Sequence, residues 1–177
     1  MAGKLAFDEK IPAYVVGGYV RDMLLGRSSN DIDIMVEGDG IDFAKKLSKI
    51  LKINTTVEHE KFGTALIPHP TLEIEVASAR QEKYDESSRK PNVTHASVEE
   101  DLSRRDFTIN AISASILPST FGEILDPFKG IKDLQKGLII TPLDPDETFS
   151  DDPLRMLRAV RFGAQLNYQI ASTTLDS

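Results

Sequence analysis

The sequence predicts an α/β fold: a small mixed sheet with helices on one side, running into an all-α region that begins near Asp151. Three observations predict it. Short apolar runs such as Tyr14-Val15-Val16 and Ile32-Asp33-Ile34-Met35-Val36 have the length and composition of strands. Stretches with apolar residues at helical spacing fall between those runs, as alternation of strand and helix requires. Strand candidates cease by Thr141, and residues 151–164 form a strongly helical stretch after them.

Taken in order, residues 14–16 form a first buried strand. Residues 18–25 give one or two helical turns, stopped by Gly26. Residues 32–36 form a second strand, with Ile32, Ile34 and Val36 on one face and Asp31 and Asp33 on the other. Gly38 and Gly40 break it. A helix over 41–51 carries Ile41, Ala44, Leu47, Ile50 and Leu51 as its apolar stripe. Strands follow at 55–59, 63–67 and 72–77, with Pro68 and Pro70 marking a turn between the last two. The polar stretch 81–97 is expected to be a long mobile loop. Residues 101–112 are expected to be helical in two pieces around Arg105 and Asp106. Strands at 114–117 and 123–125, a short helix at 131–136 and a strand at 138–141 complete the sheet-forming part. Near the end, Ser172 and Thr173 are helix N-cap types, so a further helix is announced and the chain is expected to be part of a longer protein.

The 177 residues suit one domain, or one domain with the start of another, and 40% hydrophobic content allows a buried core. With no cysteine there is neither a disulfide nor a thiolate metal site. No apolar run is long enough to span a membrane and no secretory pattern opens the chain, so a cytoplasmic protein is expected. A net charge of -7 excludes a general nucleic-acid binder, which needs a basic surface. Arg104, Arg105, Arg155, Arg158 and Arg161 are nevertheless clustered, and local positive potential can coexist with a negative total.

Three clusters carry chemistry. Asp31 and Asp33 lie two apart on a strand and therefore aim at one spot, which suits magnesium held by hard oxygen ligands. The bland alternative is an exposed polar strand edge. The Gly17-Gly18 turn before them lets backbone N–H groups approach a phosphate, and Arg21 can pair with a phosphate oxygen or with Asp22. In the second cluster, Arg104, Arg105 and Asp106 suit a triphosphate or ribose, and Asn110 follows one turn later; otherwise they begin a helix. In the third, Asp152 is placed to cap a helix with Pro153 in its first turn. At roughly 100° per residue, Arg155 and Arg158 share its side while Leu154, Leu157 and Val160 form an apolar side. An acceptor and a donor offered together can read a base edge. Arg161 is expected to support Asp152 or the helix packing. Glu75, on a strand expected to neighbour the aspartates, is a candidate third carboxylate. Residues 126–130 read as a turn before a helix. His59, His69 and His95 show no metal-ligand spacing.

Together these clusters resemble the class II tRNA nucleotidyltransferase and bacterial poly(A) polymerase family, within the polymerase-beta-like nucleotidyltransferases, over nearly the whole chain. Residues 14–33 look like the family's catalytic motif, 104–111 its ribose and triphosphate motif, and 126–130 its small turn motif, with Lys129 where glycine is usual. Residues 151–162 look like its base-selecting motif, with Asp151 where glutamate is usual.

The resemblance implies two magnesium ions on Asp31 and Asp33, and phosphate contacts from Gly18 and Arg21. It implies triphosphate or sugar contact from Arg105, and base pairing by Asp152 and Arg155 with Arg158 in support. It places a flexible loop at 83–97, linked to switching from C to A addition. It divides the chain into a catalytic head, 1–141, and the start of a helical neck, 142–177. The implied activity is addition of C or A from CTP and ATP to a tRNA 3′ end, with most of the tRNA grip in later domains. A poly(A) polymerase and a catalytically idle nucleotide-binding module remain as alternatives.

Overall fold

Burial increases along the central strand. In β2 the odd residues Asp31 and Asp33 stay accessible while Ile34, Met35 and Val36 are buried, so one end of the strand is polar and the other is core. The computed structural model describes residues 1–85 and 88–177, the side chains of 80–95 excepted.

In chain order the elements are α1 (Ala2–Glu9), β1 (Ala13–Val16), α2 (Gly18–Leu24), β2 (Asp31–Val36), α3 (Gly40–Ile50), β3 (Val57–His59), β4 (Thr64–Pro68) and β5 (Glu73–Ser78). Then come β6 (Arg80–Asp85), β7 (Ser88–His95), α4 (Val98–Ser103), a 3-10 turn (Thr108–Asn110), β8 (Ser113–Ser115), β9 (Ile124–Leu125) and α5 (Gly130–Lys136). The chain continues through β10 (Leu138–Ile139), α6 (Pro145–Asp151), α7 (Leu154–Leu166), β11 (Gln169–Ile170) and α8 (Ser172–Leu175).

The main sheet has seven strands in the order β3-β4-β5-β2-β1-β8-β9. It is mixed: β2 runs parallel to β5, and the other neighbours are antiparallel. Helices α1 and α3 cover one face, where Leu5, Phe43, Ala44 and Leu47 pack on Ile34, Val36, Ile74 and Val76. Contrary to the expectation of helices on one side, α4 covers the other face, with Val98 and Leu102 against Val16, Met35 and Ala111. A third core joins Phe107, Ile109, Leu134 and Ile139 to Phe149, Ala159, Phe162 and Leu166. The Phe107 and Phe162 rings meet edge-on, with centroids 6.0 Å apart. The segments before and after residue 141 therefore share one core, and β10 pairs in parallel with β11.

Several expectations change. Residues 80–85 and 88–95 form an antiparallel two-stranded ribbon, not a loop, and positions 86–87 of that expected loop lie outside the described residues. Helix α4 starts earlier than expected because Ser97 and Glu100 form a capping box, Glu100 N donating to Ser97 Oγ and Ser97 N to Glu100 Oε2. The chain then leaves the helix, and Arg105 and Asp106 sit in the connection between α4 and the 3-10 turn, the two helical pieces expected around them. Asp151 closes α6, which starts at a capping Asp144 followed by Pro145. In α7 the face turned inward is Ala159, Phe162 and Leu166. Leu154, Leu157 and Val160, the expected apolar side, are 65%, 69% and 63% exposed.

Candidate active site

One cleft of about 660 Å³ gathers the three sequence clusters. Gly17 and Gly18 enter it from the end of β1, Asp31 and Asp33 from β2, Arg104 to Asp106 from the end of α4, and Asp152, Arg155, Arg158 and Arg161 from the start and length of α7. A second hollow of about 290 Å³ adjoins it, sharing Gly18, Arg21, Asp22, Asp31 and Asp33 and adding Glu73 and Glu75. The two aspartates therefore stand where both hollows meet.

The turn that leads into α2 needs its glycine. Gly17 has φ 67° and ψ −131°, a backbone conformation that side-chain-bearing residues avoid. A Cβ there would lie 2.8 Å from Arg105 Nη1 and 3.7 Å from Asp33 Oδ2. The Arg105 guanidinium and the Asp33 carboxylate thus face the same bare backbone.

Asp31 and Asp33 pair with Glu73 and Glu75 across the parallel β2–β5 ladder, which puts four carboxylates on one face of the sheet. Burial raises the Asp33 pKa above its ordinary value; Arg105 opposes this, and Glu75 and Asp31 add to it. Among the described residues, neither aspartate side chain has an ion pair or hydrogen bond within the protein. Glu75 is exposed, and among the described residues no three acidic or histidine side chains converge closely enough to hold a metal. The expected third carboxylate is a neighbour of the pair, not a member of a three-ligand set.

The arginines are mostly committed. Arg21 is 6% exposed, with Nε and Nη2 donating to Asp22 at 2.9 and 3.0 Å and Nη1 donating to Asn110 Oδ1 at 2.7 Å. This is the Asp22 pairing that the sequence left open. Asp101, which the sequence reading passed over, organises the next pair: Arg104 donates to its Oδ1 and Arg105 to its Oδ2. Burial alone would raise the Asp101 pKa, but the Arg105 and Arg104 charges and hydrogen bonds outweigh it and hold the carboxyl below the ordinary range. A carboxylate one helical turn before two adjacent arginines was the available signal.

Asp106 is buried, taking Phe107 N and Asn110 Nδ2 on one oxygen and the Arg158 guanidinium on the other. Arg158 was expected to support Asp152 and Arg155, and it serves Asp106 instead. Arg155 donates to the Thr148 and Arg104 carbonyl oxygens. Its Nε stands 4.0 Å from Asp152 Oδ2, while Asp152 Oδ1 accepts from Leu154 N, as a cap should. Arg161 does not reach Asp152; its guanidinium lies 4.9 Å from the centre of the Phe162 ring, a ring that Arg21 and Arg158 also approach.

Residues 13–140 match the family model described as the poly A polymerase head domain. The chain belongs to that family. Among curated relatives, an A-adding tRNA nucleotidyltransferase of Halalkalibacterium halodurans is 37% identical over 175 residues, covering 98% of this chain and 40% of the relative. A CCA-adding enzyme of Ligilactobacillus salivarius is 39% identical over 167 residues, covering 93% of this chain and 39% of the relative. A solved tRNA nucleotidyltransferase in complex with a primer tRNA and an incoming ATP analog superposes with a TM-score of 0.86 at 39% identity, covering 99% of this chain and 48% of that one. The chain thus spans less than half the length of these relatives of the head-domain family.

Proposed function

We propose that this chain is the catalytic head of a tRNA 3′-end nucleotidyltransferase that adds C, A or both from CTP and ATP and releases pyrophosphate. Residues 1–141 serve as the head, and residues 142–177 begin a helical neck packed on it. The observation that carries the reading is the single cleft in which the Gly17 turn, the Asp31 and Asp33 carboxylates and the Asp152–Arg155 pair face one another.

The donor set fits magnesium. That ion keeps several waters and takes only one or two carboxylates from a protein, the rest coming from substrate phosphates. Asp31 and Asp33 supply two unpaired carboxylates on one strand face, and the charged form of Asp33 is disfavoured until a cation faces it. When bound, the metal supplies neutralisation of the triphosphate and activation of the attacking hydroxyl.

The protein's own groups do the rest. The primer 3′-hydroxyl oxygen bonds to the α-phosphorus, and the bond to pyrophosphate breaks. Arg105, braced by Asp101, presents Nη1 beside the side-chain-free Gly17 backbone, where a triphosphate can approach. Arg21 stiffens the wall behind it. Asp152 Oδ2 offers an acceptor next to the Arg155 donors. Cytosine and adenine each present an amino donor beside a ring-nitrogen acceptor, whereas uracil and guanine present the reverse, so this pair suits C and A. Positioning and charge are the main sources of rate in phosphoryl-type transfer.

The curated relatives named above act on tRNA by their names, and this favours tRNA over the poly(A) polymerase alternative. An idle nucleotide-binding module would have no use for the unpaired aspartates. Among the described residues no helix is long and apolar enough to cross a membrane, in keeping with a cytoplasmic enzyme. The test is to incubate the full-length protein with tRNAs ending before CCA, after CC and after CCA, offering each triphosphate separately. Extension of one or both of the first two with C or A is expected; long adenylate tails on any RNA would favour poly(A) synthesis, and no extension at all would overturn the reading.

A further inference from the structure

Between the two ends of the cleft lies one buried amide. Asn110 is 6% exposed; its Oδ1 accepts from Arg21 Nη1 at 2.7 Å, and its Nδ2 donates to Asp106 Oδ1 at 3.0 Å. Asp106 Oδ2 accepts from Arg158 Nε at 2.7 Å. A guanidinium only donates and an ionised carboxylate only accepts, so linking one to the other needs a group that does both in fixed directions. A side-chain amide does this. Leucine would keep the shape and lose both bonds. Aspartate would still accept from Arg21 but would turn a second carboxylate toward Asp106.

The 3-10 turn carrying Asn110 is fixed from below. Gly130, at the start of α5, lies so close that a Cβ would stand 2.0 Å from Thr108 O. Thr108 Oγ1 also donates to Asp133 on α5 at 2.8 Å. The amide therefore sits on a platform that cannot easily drift.

We infer that Asn110 is a positioning residue that couples Arg21, on α2 behind the phosphate turn, to Arg158, on the base-reading helix α7, so that both ends of a bound nucleoside triphosphate are held in one register. The inference rests on the nucleotidyltransferase reading above. The flanking pairs do not depend on the amide: Arg21 keeps Asp22 and Asp106 keeps Arg158. Removing Asn110 leaves each end assembled and takes away their connection.

The test is a double-mutant cycle on the full-length protein, with Arg21→Lys and Arg158→Lys as perturbations and kcat/KM for CTP on a tRNA primer as the readout. With Asn110 in place the losses are expected not to multiply, the double variant deviating about five-fold or more from the product of the single losses, as contacting networks do. In Asn110→Leu the two losses should multiply. Asn110→Asp gives a second background, in which Arg21 keeps its acceptor and multiplication is again expected. Asn110→Leu alone should lower kcat more than it raises KM, because misregistration affects the reacting geometry. Equal behaviour with and without Asn110, whether multiplicative or not, overturns the coupling while the activity stands. A wild-type protein that transfers no nucleotide overturns the activity reading and the coupling with it.

Discussion

The two ends of the cleft are built on opposite electrostatic terms. At the strand end, Asp31 and Asp33 face Glu73 and Glu75 across β2 and β5, and burial with its acidic neighbours disfavours the charge on Asp33. At the helix end every buried carboxylate is matched: Asp101 by Arg104 and Arg105, Asp106 by Arg158. On the proposed reading, the difference matches what each end is for. A frame must satisfy its charges internally to be rigid. A cation site must leave them unsatisfied, and that lowers stability until the cation arrives.

The largest test of this contrast lies at the unsatisfied end. Asp31→Asn and Asp33→Asn are each expected to reduce transfer about a thousand-fold, the scale of losing one aligned charge in a reacting site. Asp33→Asn should at the same time raise Tm by about 1–2 °C at neutral pH. The sign follows from the raised pKa: folding favours the protonated carboxyl, so the penalty on the charged form is absent in acid and grows as pH rises through the ordinary carboxylate range. An Asp33→Asn protein that melts below wild type would break the comparison.

Asp101→Asn tests the satisfied end and should have the reverse effect, lowering stability by about 2 kcal/mol, a figure discounted because Arg104 and Arg105 are partly exposed. Its folded pKa is depressed, so its contribution is full above the ordinary carboxylate value and is lost as pH falls through the lower folded value. Thermal melts should therefore show the gap from wild type closing below about pH 4. A gap that persists in stronger acid would mean that packing, not charge, holds the frame.

Arg155→Ala sharpens the contrast within the helix end. CTP and ATP should lose about tenfold in preference over UTP and GTP, with a smaller rise in KM for triphosphate contacts. Competition assays with mixed triphosphates give the ratio, and unchanged selectivity would assign base reading elsewhere. The smallest effect is expected at Lys129, which holds φ 61° ahead of α5. Lys129→Gly should raise stability by about 0.5 kcal/mol in denaturant titrations, with selectivity untouched.

The contrast was half visible in the sequence. Asp31 and Asp33 announce themselves because strand period alone puts them on one face. The Gly17 turn follows from a double glycine between a strand and a helix. The partners of the arginines were harder to see. Arg158 meets Asp106 across 52 positions, and no local pattern foretells that distance. Asp101 was readable, since it lies one turn before Arg104 and Arg105. So were the Ser97 to Glu100 capping box and the Asp144-Pro145 helix start, signals that place α4 and α6 where they are. The ribbon of 80–85 and 88–95 was missed because polar residues dominate its sequence and leave no apolar alternation to read. The outer side of α7 shows the limit of periodicity, which identifies an apolar row without saying whether anything covers it.

That row gives the molecule a colloidal character. Leu154, Leu157 and Val160 form an oily strip on a particle whose net charge is -7. In dilute buffer, mutual repulsion keeps particles apart. As salt shortens the reach of that repulsion to about 10 Å at 0.1 M, the strips can meet. Light scattering from the isolated chain should therefore rise with ionic strength. A handling buffer for this chain therefore has to keep the ionic strength low enough for repulsion to hold the strips apart.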